Sequence, residues 1–375
     1  MNSGATPAVT FIGHPFAPIG KGEELRSCIR ALRSMGEPVS CFDIYRYAER
    51  QDPDHLAEIL PIETKNLDAP VRIFHINGDE VEASLQRLED LGLDFAAGHN
   101  AIVPAWELPV FPAVWVDALR RFDSVLAISR FAQQGLAASG INARHIGQSI
   151  EVTSRPFLSR RYFGIRESAL VFVAFADVSS FLSRKNPAAV VEVFRRLIAA
   201  RPFADVQLVL KVKNAAEEAA ADELDAGLPP GSCVRITRLL SSHEQHSLLA
   251  SADCVVSLHR AEGFGRGTGE AMALGKVALA TGWSGNLDYM TNTNSLLVRH
   301  RMVPLQAGDY VQWEGQEWAE PDLDHALDQA LRLVDDPKQF AYFSRRGRDE
   351  ALLESGNRAV GLRLLEWLRE VESKS

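Results

Sequence analysis

The stretch that most constrains the fold of this 375-residue chain is Ala169–Ala176, eight apolar residues without a break. It is far short of the roughly 20 residues that span a bilayer. An unbroken apolar run of strand length is what a strand covered on both faces requires, and strands covered in that way belong to parallel sheets flanked by helices. The residues that follow fit that expectation. Asn186-Pro187 reads as a helix N-cap with proline at the first helical position. Val190, Val191, Phe194, Leu197 and Ile198 then recur at helical spacing.

The same rhythm runs along most of the chain. In the N-terminal half, Ala8–Ile12 reads as a strand, Gly20-Lys21-Gly22 as a glycine-rich turn, and Leu25, Cys28, Ile29 and Leu32 as a helical stripe. Val39–Ile44, Val71–Ile76, Ala101–Val103 and Ser124–Ile128 read as further strands. Val206–Val212, Val234–Thr237, Cys254–Leu258 and Val277–Ala280 read as strands of the second half. Strands alternating with helices imply parallel pairing and an α/β fold. The chain exceeds the roughly 100–200 residues of one domain. We expect domains at 1–155 and 156–350, joined through the Arg/Ser-rich stretch Ile146–Ile165. A terminal helix at 351–375 carries Val360, Leu364, Trp367, Leu368 and Val371 on one face, and that face needs a docking surface.

Composition narrows the function. Forty Lys and Arg against 49 Asp and Glu leave a net charge of −9, the wrong sign for a dedicated nucleic-acid binder. The four cysteines, Cys28, Cys41, Cys233 and Cys254, form no Cys-x-x-Cys pair and no zinc-type spacing. A reducing compartment therefore fits. The N-terminus shows no basic segment followed by an apolar run, so no signal peptide is expected and a cytoplasmic location is.

Residues 254–290 carry the most chemistry. A strand runs into Glu262, then Gly263, Gly265, Gly267 and Gly269, and then Glu270 opening a helix. Glycines permit close backbone approach, and a helix N-terminus offers free N–H groups and a positive dipole end. Neither carboxylate can face a phosphate without like-charge repulsion, but each suits a vicinal diol, one on a ribose and one on a sugar. For Glu270 alone, a surface carboxylate at a helix start is an equal reading. The spacing is neither the G-x-G-x-x-G dinucleotide fingerprint nor a P-loop. Lys185, between the apolar strand and the Asn186-Pro187 helix start, supplies a cation suited to a diphosphate, and Arg184 stands beside it. Taken alone, that pair reads rather as two solvated basic residues in a loop.

These residues resemble the retaining glycosyltransferases of the glycosyltransferase family 4 type, which have the GT-B fold. The resemblance rests on Glu262-Gly263-Phe264-Gly265 through Glu270-Ala271-Met272-Ala273-Leu274-Gly275, with Ala252-Asp253 upstream and Ser284-Gly285-Asn286 downstream. Trp106-Glu107-Leu108-Pro109, Ser183-Arg184-Lys185-Asn186-Pro187 and Trp318-Ala319-Glu320-Pro321-Asp322 are similar to its bacterial polysaccharide and lipopolysaccharide branch. The resemblance implies two Rossmann-like domains facing across a cleft, an acceptor side at the N-terminus and a nucleotide-sugar side after it, and a last helix returning to the first domain. It implies that Glu262 binds donor-sugar hydroxyls with the amides after Phe264, including Gly265. Glu270 would bind ribose, Lys185 would neutralise the diphosphate, and Gly20 and Gly22 would lie near the donor phosphates. Three departures stand out. The family's arginine five or six residues before its lysine falls on Ser180 or Ser179, with Arg184 as the substitute. Arg266 replaces a commoner aliphatic or Ser and is a candidate phosphate or acceptor contact. The family's histidine near an N-terminal strand end has His99 and Glu107 as candidates, with Glu107 preferred by register.

The catalytic set is therefore Glu262, Lys185 and Glu107, with His14, His75, His99 and Trp106 as further cleft candidates. His14 reads equally as a turn-stabilising residue and Trp106 as a buried loop anchor. Asp322-Leu323-Asp324 reads as a helix N-cap rather than a metal motif, and neither metal nor cofactor is expected. The resulting expectation is a hexosyl transfer from GDP-mannose or a UDP-sugar to a glycan or lipid-linked hydroxyl, with peripheral contact at the inner membrane face. A nucleotide-sugar epimerase and a non-catalytic nucleotide-sugar-binding protein remain open alternatives.

Overall fold

The computed structural model describes residues 8–45, 51–152, 157–177, 181–213 and 224–374. It divides into two compact units, residues 1–150 with 354–375, and residues 151–353. Each is built on a six-stranded parallel sheet, so the fold is α/β in both.

The first sheet has the order β2-β1-β3-β4-β5-β6. Its strands are β1 (Val9–Gly13), β2 (Val39–Asp43), β3 (Val71–Phe74), β4 (His99–Ile102), β5 (Ser124–Ala127) and β6 (Ala143–His145). Between them run α1 (Gly20–Ser34), α2 (Pro53–Ile59), α3 (Val81–Asp90), α4 (Ala113–Leu119) and α5 (Arg130–Ala138). The Gly20-Lys21-Gly22 segment is the first turn of α1 rather than a loop before it. Gly22 is required there, because a Cβ would lie 2.4 Å from the Ala17 carbonyl oxygen. The last helix of the chain, α12 by order, spans Asn357–Glu372 and buries Val360, Leu364, Trp367, Leu368 and Val371. It packs on α1 so closely that a Cβ on Gly361 would meet the Ala31 carbonyl at 2.7 Å.

The second sheet has the order β12-β11-β10-β7-β8-β9. Its strands are β7 (Leu170–Asp177), β8 (Val206–Lys213), β9 (Cys233–Ile236), β10 (Cys254–Ser257), β11 (Val277–Thr281) and β12 (Leu296–Val298). The helices are α6 (Leu182–Lys185), α7 (Pro187–Ala200), α8 (Ser242–Ser251), α9 (Arg266–Ala273), α10 (Leu323–Asp335) and α11 (Pro337–Ser355). An antiparallel hairpin, β13 (His300–Pro304) and β14 (Glu317–Pro321), completes the unit. The apolar run Ala169–Ala176 forms most of β7, buried on both faces. Phe172 and Ala174 pack with α7 and α10, while Val171 and Val173 pack with Leu248 and Leu249 of α8 and Ala271 of α9.

The strand order fixes where a ligand can bind. From β7 the chain moves outward through α7 to β8 and then β9, and returns through α8 to β10 on the other side of β7. The helices after β7 and β10 therefore lie on opposite faces, leaving a crevice at the carboxyl ends of these two strands. That is the topological switch point at which open parallel sheets bind ligands.

Candidate active site

Lys185 and Glu262 follow the two strands that flank the switch point. Lys185 ends the single turn of α6, and Asn186 then adopts a left-handed conformation at φ 52° before Pro187 opens α7. Asn186 makes no side-chain cap, contrary to its reading as an N-cap. Capping needs an extended backbone, and here Asn186 instead turns the chain between two helices. The Lys185 ammonium donates to Glu262 Oε1. Arg184 Nη1 stands 3.5 Å from Glu262 Oε2 and donates to the Ala261 carbonyl at 2.9 Å. Burial pushes the Glu262 carboxyl up, but the Lys185 and Arg184 charges outweigh it and hold it down at about 2. Side-chain exposure is 11% for Glu262 and 28% for Lys185, so the pair is reachable from solvent at its lysine end.

The loop after Glu262 is fixed from two sides. The Glu262 N–H donates to Ser284 Oγ at 3.0 Å, and the Gly285 N–H donates to the Glu262 carbonyl at 3.0 Å. Gly285 admits no side chain, since a Cβ would lie 2.1 Å from the Gly263 carbonyl oxygen. Gly265 takes φ 84° and serves as the N-cap of α9, with the Thr268 and Tyr289 hydroxyls both reaching its carbonyl. The helix therefore starts at Arg266, and Glu270 lies in its second turn rather than opening it. Gly267 and Gly269 are helical; the alternating glycines read as a loop, but only Gly265 among them has a positive φ. Arg266 pairs with Glu270 at 2.5 Å across one helical turn, so its guanidinium rests on a carboxylate. Phe264 is buried and packs on Tyr289 at 5.3 Å between ring centroids, anchoring the loop with its side chain.

A brace that sequence reading missed holds the Lys185 side of the crevice. Arg260 donates to both Glu320 oxygens at 2.6 and 3.2 Å and to the Ser183 carbonyl at 2.7 Å, and its N–H donates to the Arg184 carbonyl at 2.8 Å. Its guanidinium lies 5.4 Å from the Trp318 ring centroid. The Trp318-Ala319-Glu320 motif thus orients the lysine loop through Arg260. Asp322 caps α10, accepting from the His325 N–H at 3.0 Å. His259 was also missed. It is buried with Nε2 3.1 Å from the Trp283 carbonyl, and burial lowers its pKa.

The first unit gathers different residues at the carboxyl edge of its own sheet. Burial of the tail of Lys21, the carboxyl of Glu24 and the ring of His75 forms a closed cluster. Lys21 Nζ donates to Glu24 Oε1 at 2.8 Å and to the Val103 carbonyl at 2.5 Å, and His75 Nδ1 lies 2.9 Å from the same Glu24 oxygen. Sequence reading found His75 but neither Lys21 nor Glu24. His14 stacks on Tyr45 and reaches Glu80 at 3.0 Å. Gly20 opens α1, and Gly22 sits one residue after Lys21. Trp106 is a buried anchor, donating to the Val110 carbonyl at 2.7 Å and packing edge-on to Phe111 and Trp115. Glu107 follows it in the partly buried loop beyond the carboxyl end of β4. His99 is excluded from that edge. It is the first residue of β4, in register with Val71, bonded to Ser124 and edge-on to Trp367 of α12. Ser179 and Ser180 lie outside the described residues. Among the described residues no cluster of three or more His, Cys, Asp or Glu could hold a metal, and no helix is long and apolar enough to cross a membrane.

Residues 170–307, which include Lys185, Glu262 and Glu270, match the family model described as glycosyl transferases group 1. No curated protein sequence matches the chain. Among solved structures, Anabaena Alr3699/HepE in complex with UDP and glucose is 15% identical with a TM-score of 0.64, over 96% of this chain and 99% of its own. Sucrose-phosphate synthase from Thermosynechococcus elongatus is 16% identical at TM-score 0.67, over 98% and 99%. A glycosyltransferase from Rickettsia africae is 14% identical at TM-score 0.69, over the same shares. At these identities the likeness establishes the fold, which is the two-domain α/β fold of GT-B glycosyltransferases.

Proposed function

We propose that the chain is a retaining glycosyltransferase of the family 4 type, moving a hexose from GDP-mannose or a UDP-sugar to a hydroxyl of a glycan or lipid-linked acceptor. The observation that carries this reading is the switch-point constellation: Glu262 held ionised by Lys185, with Glu270 one turn inside a helix that begins at Arg266. The match of residues 170–307 to group 1 glycosyltransferases supports it.

Each residue then has a role. Glu262, an acceptor for two hydroxyls, holds the donor sugar. Lys185 turns its ammonium from Glu262 to the diphosphate, and the free N–H groups at the start of α9 add a second positive end. Negative charge grows on that diphosphate as the glycosidic bond breaks, so these groups stabilise the transition state more than the ground state. Glu270 accepts from the ribose hydroxyls when Arg266 swings away. Departure on the face that the acceptor attacks lets a phosphate oxygen take the acceptor proton, so the anomeric configuration is kept without a separate protein base. We place acceptor recognition on the first unit, with Glu107 as the candidate contact.

The test is incubation with UDP-glucose and GDP-mannose in the presence of simple glycan acceptors. Nucleoside diphosphate release should accompany a product with the donor's anomeric configuration by NMR. An inverted product overturns retention, an isomerised sugar without acceptor indicates an epimerase, and binding without turnover indicates a binding protein. A folded Lys185→Ala protein with normal transfer would sink the role given to that residue.

A further inference from the structure

One buried cation in the second unit has no task in this scheme. Lys211 lies on β8 two residues before its carboxyl end and is 5% exposed. Its ammonium donates to the neighbouring Val212 carbonyl at 3.1 Å, and no described carboxylate stands within ion-pair distance. Two of its three donors thus have no acceptor among the described residues. Burial lowers its pKa to about 8, with Lys213 and Arg238 adding repulsion against a smaller attraction from Asp177. A hydrophobic residue of that length would fill the same space without burying a charge that has no ion-pair partner in contact.

Its position says what it faces. In register, Lys211 sits between Phe175 of β7 and Ile236 of β9. Partners in register on parallel strands point to the same face, and both neighbours pack in the core under α8 and α9. Phe175 is partly buried, and Gly267 in the first turn of α9 approaches its ring. The switch point lies between β7 and β10, with Glu270 on α9. A nucleotide whose diphosphate is at Lys185 and whose ribose is at Glu270 therefore extends its base over the carboxyl edge of β7 and β8 on the α9 face. That is where Phe175 and Lys211 stand together.

We propose that Lys211 is the base-reading residue of the donor site, donating to an exocyclic carbonyl oxygen of the nucleobase, with Phe175 beneath the ring. This rests on the nucleotide-sugar reading above. An ammonium can only donate. Uracil O4 and guanine O6 accept at that edge, whereas cytosine and adenine present amino groups there. The site thus takes UDP or GDP and rejects CDP and ADP.

The experiment measures the affinity of the full chain for UDP, GDP, CDP and ADP by calorimetry, with Lys211→Met and Lys185→Ala beside wild type. Lys211→Met should lose roughly tenfold or more for UDP or GDP, the size of one charge-assisted hydrogen bond, and stay within about twofold for CDP and ADP. Lys185→Ala should weaken all four alike. A Lys211→Met protein that keeps the wild-type preference, or that weakens all four equally, overturns the assignment while leaving the glycosyltransferase reading intact. Wild type binding none of the four overturns both. Should the methionine variant fail to fold, Lys211→Gln is expected to show the same selective loss, and unchanged preference in it overturns the proposal equally.

Discussion

The two units place a lysine–glutamate pair at the same point of the same architecture, the carboxyl edge of a six-stranded parallel sheet, and treat it in opposite ways. In the first unit Lys21, Glu24 and His75 close on one another, with side-chain exposures of 6%, 3% and 0%. Burial works against the Glu24 carboxylate, but Lys21 and His75 keep its pKa below the ordinary value. The His75 ring is pushed down by its own burial and stays neutral at pH 7, so Lys21 alone balances Glu24. In the second unit the Lys185 side chain is 28% exposed beside a glutamate that is nearly as buried as Glu24. A sealed pair stabilises one conformation. A pair open at its cationic end can exchange its partner for an incoming anion. The difference separates a structural ionic cluster from a binding site more sharply than the residue types do.

Substitution on each side can break this contrast. The largest effect is expected from Glu24→Ala, which leaves Lys21 buried without its carboxylate. Loss of one member of a buried pair costs about 3–5 kcal/mol, read as an earlier denaturant midpoint for the first unit. A Glu24→Ala protein as stable as wild type would show that the cluster is not the structural element described. Lys185→Ala should do the reverse. Transfer should fall by about 10²–10³ in kcat/KM, as when one transition-state donor is removed, while the second unit stays folded and loses only the stability that Lys185 supplies by holding Glu262 ionised. If instead stability collapses and activity per folded molecule persists, the two pairs are alike and the contrast fails. Gly285→Ala comes next. Its Cβ would meet the Gly263 carbonyl at 2.1 Å, so the loop must shift. Overpacking of this kind costs about 1–3 kcal/mol, and the shift should raise the donor KM while leaving the first unit's unfolding transition in place.

The strands were legible in sequence because a parallel sheet buried on both faces leaves continuous apolar runs, as Ala169–Ala176 did. What sequence could not supply was pairing across distance. Arg260 and Glu320 are sixty positions apart, and Lys21 reaches Val103 across 82; neither spacing has a local signature. Local geometry was misread for a second reason. Glycine permits a loop without requiring one, so Gly267 and Gly269 stayed helical and moved the start of α9 upstream of Glu270. His99, read as preceding the Ala101–Val103 strand, is its first residue, because the strand begins two residues earlier than Ala101, at the amino end of the sheet. Lys211 was invisible inside an apolar strand. A lysine there reads as an exposed position until the packing is known.

The smallest effect is also the one that isolates the open pair. Glu262 has a folded pKa of about 2 against an ordinary 4.5. A depressed carboxyl contributes stability that is complete above the unfolded value and is lost as pH falls through the folded one. Wild type should therefore lose stability between about pH 4.5 and 2, part of it from Glu262 and part from Glu24, whose pKa is also lowered. Burial raises the Glu262 value and Lys185 is its leading opponent, so Lys185→Ala should move that carboxyl back upward and flatten the acid limb of the second unit. The limb that belongs to Glu24 should remain, because Lys21 and His75 are untouched. Denaturant midpoints taken at pH 6, 4 and 3 for both proteins decide it. An acid limb of the second unit that is equally steep with and without Lys185 would mean that the lysine does not hold Glu262 ionised, and the open pair would lose its electrostatic basis.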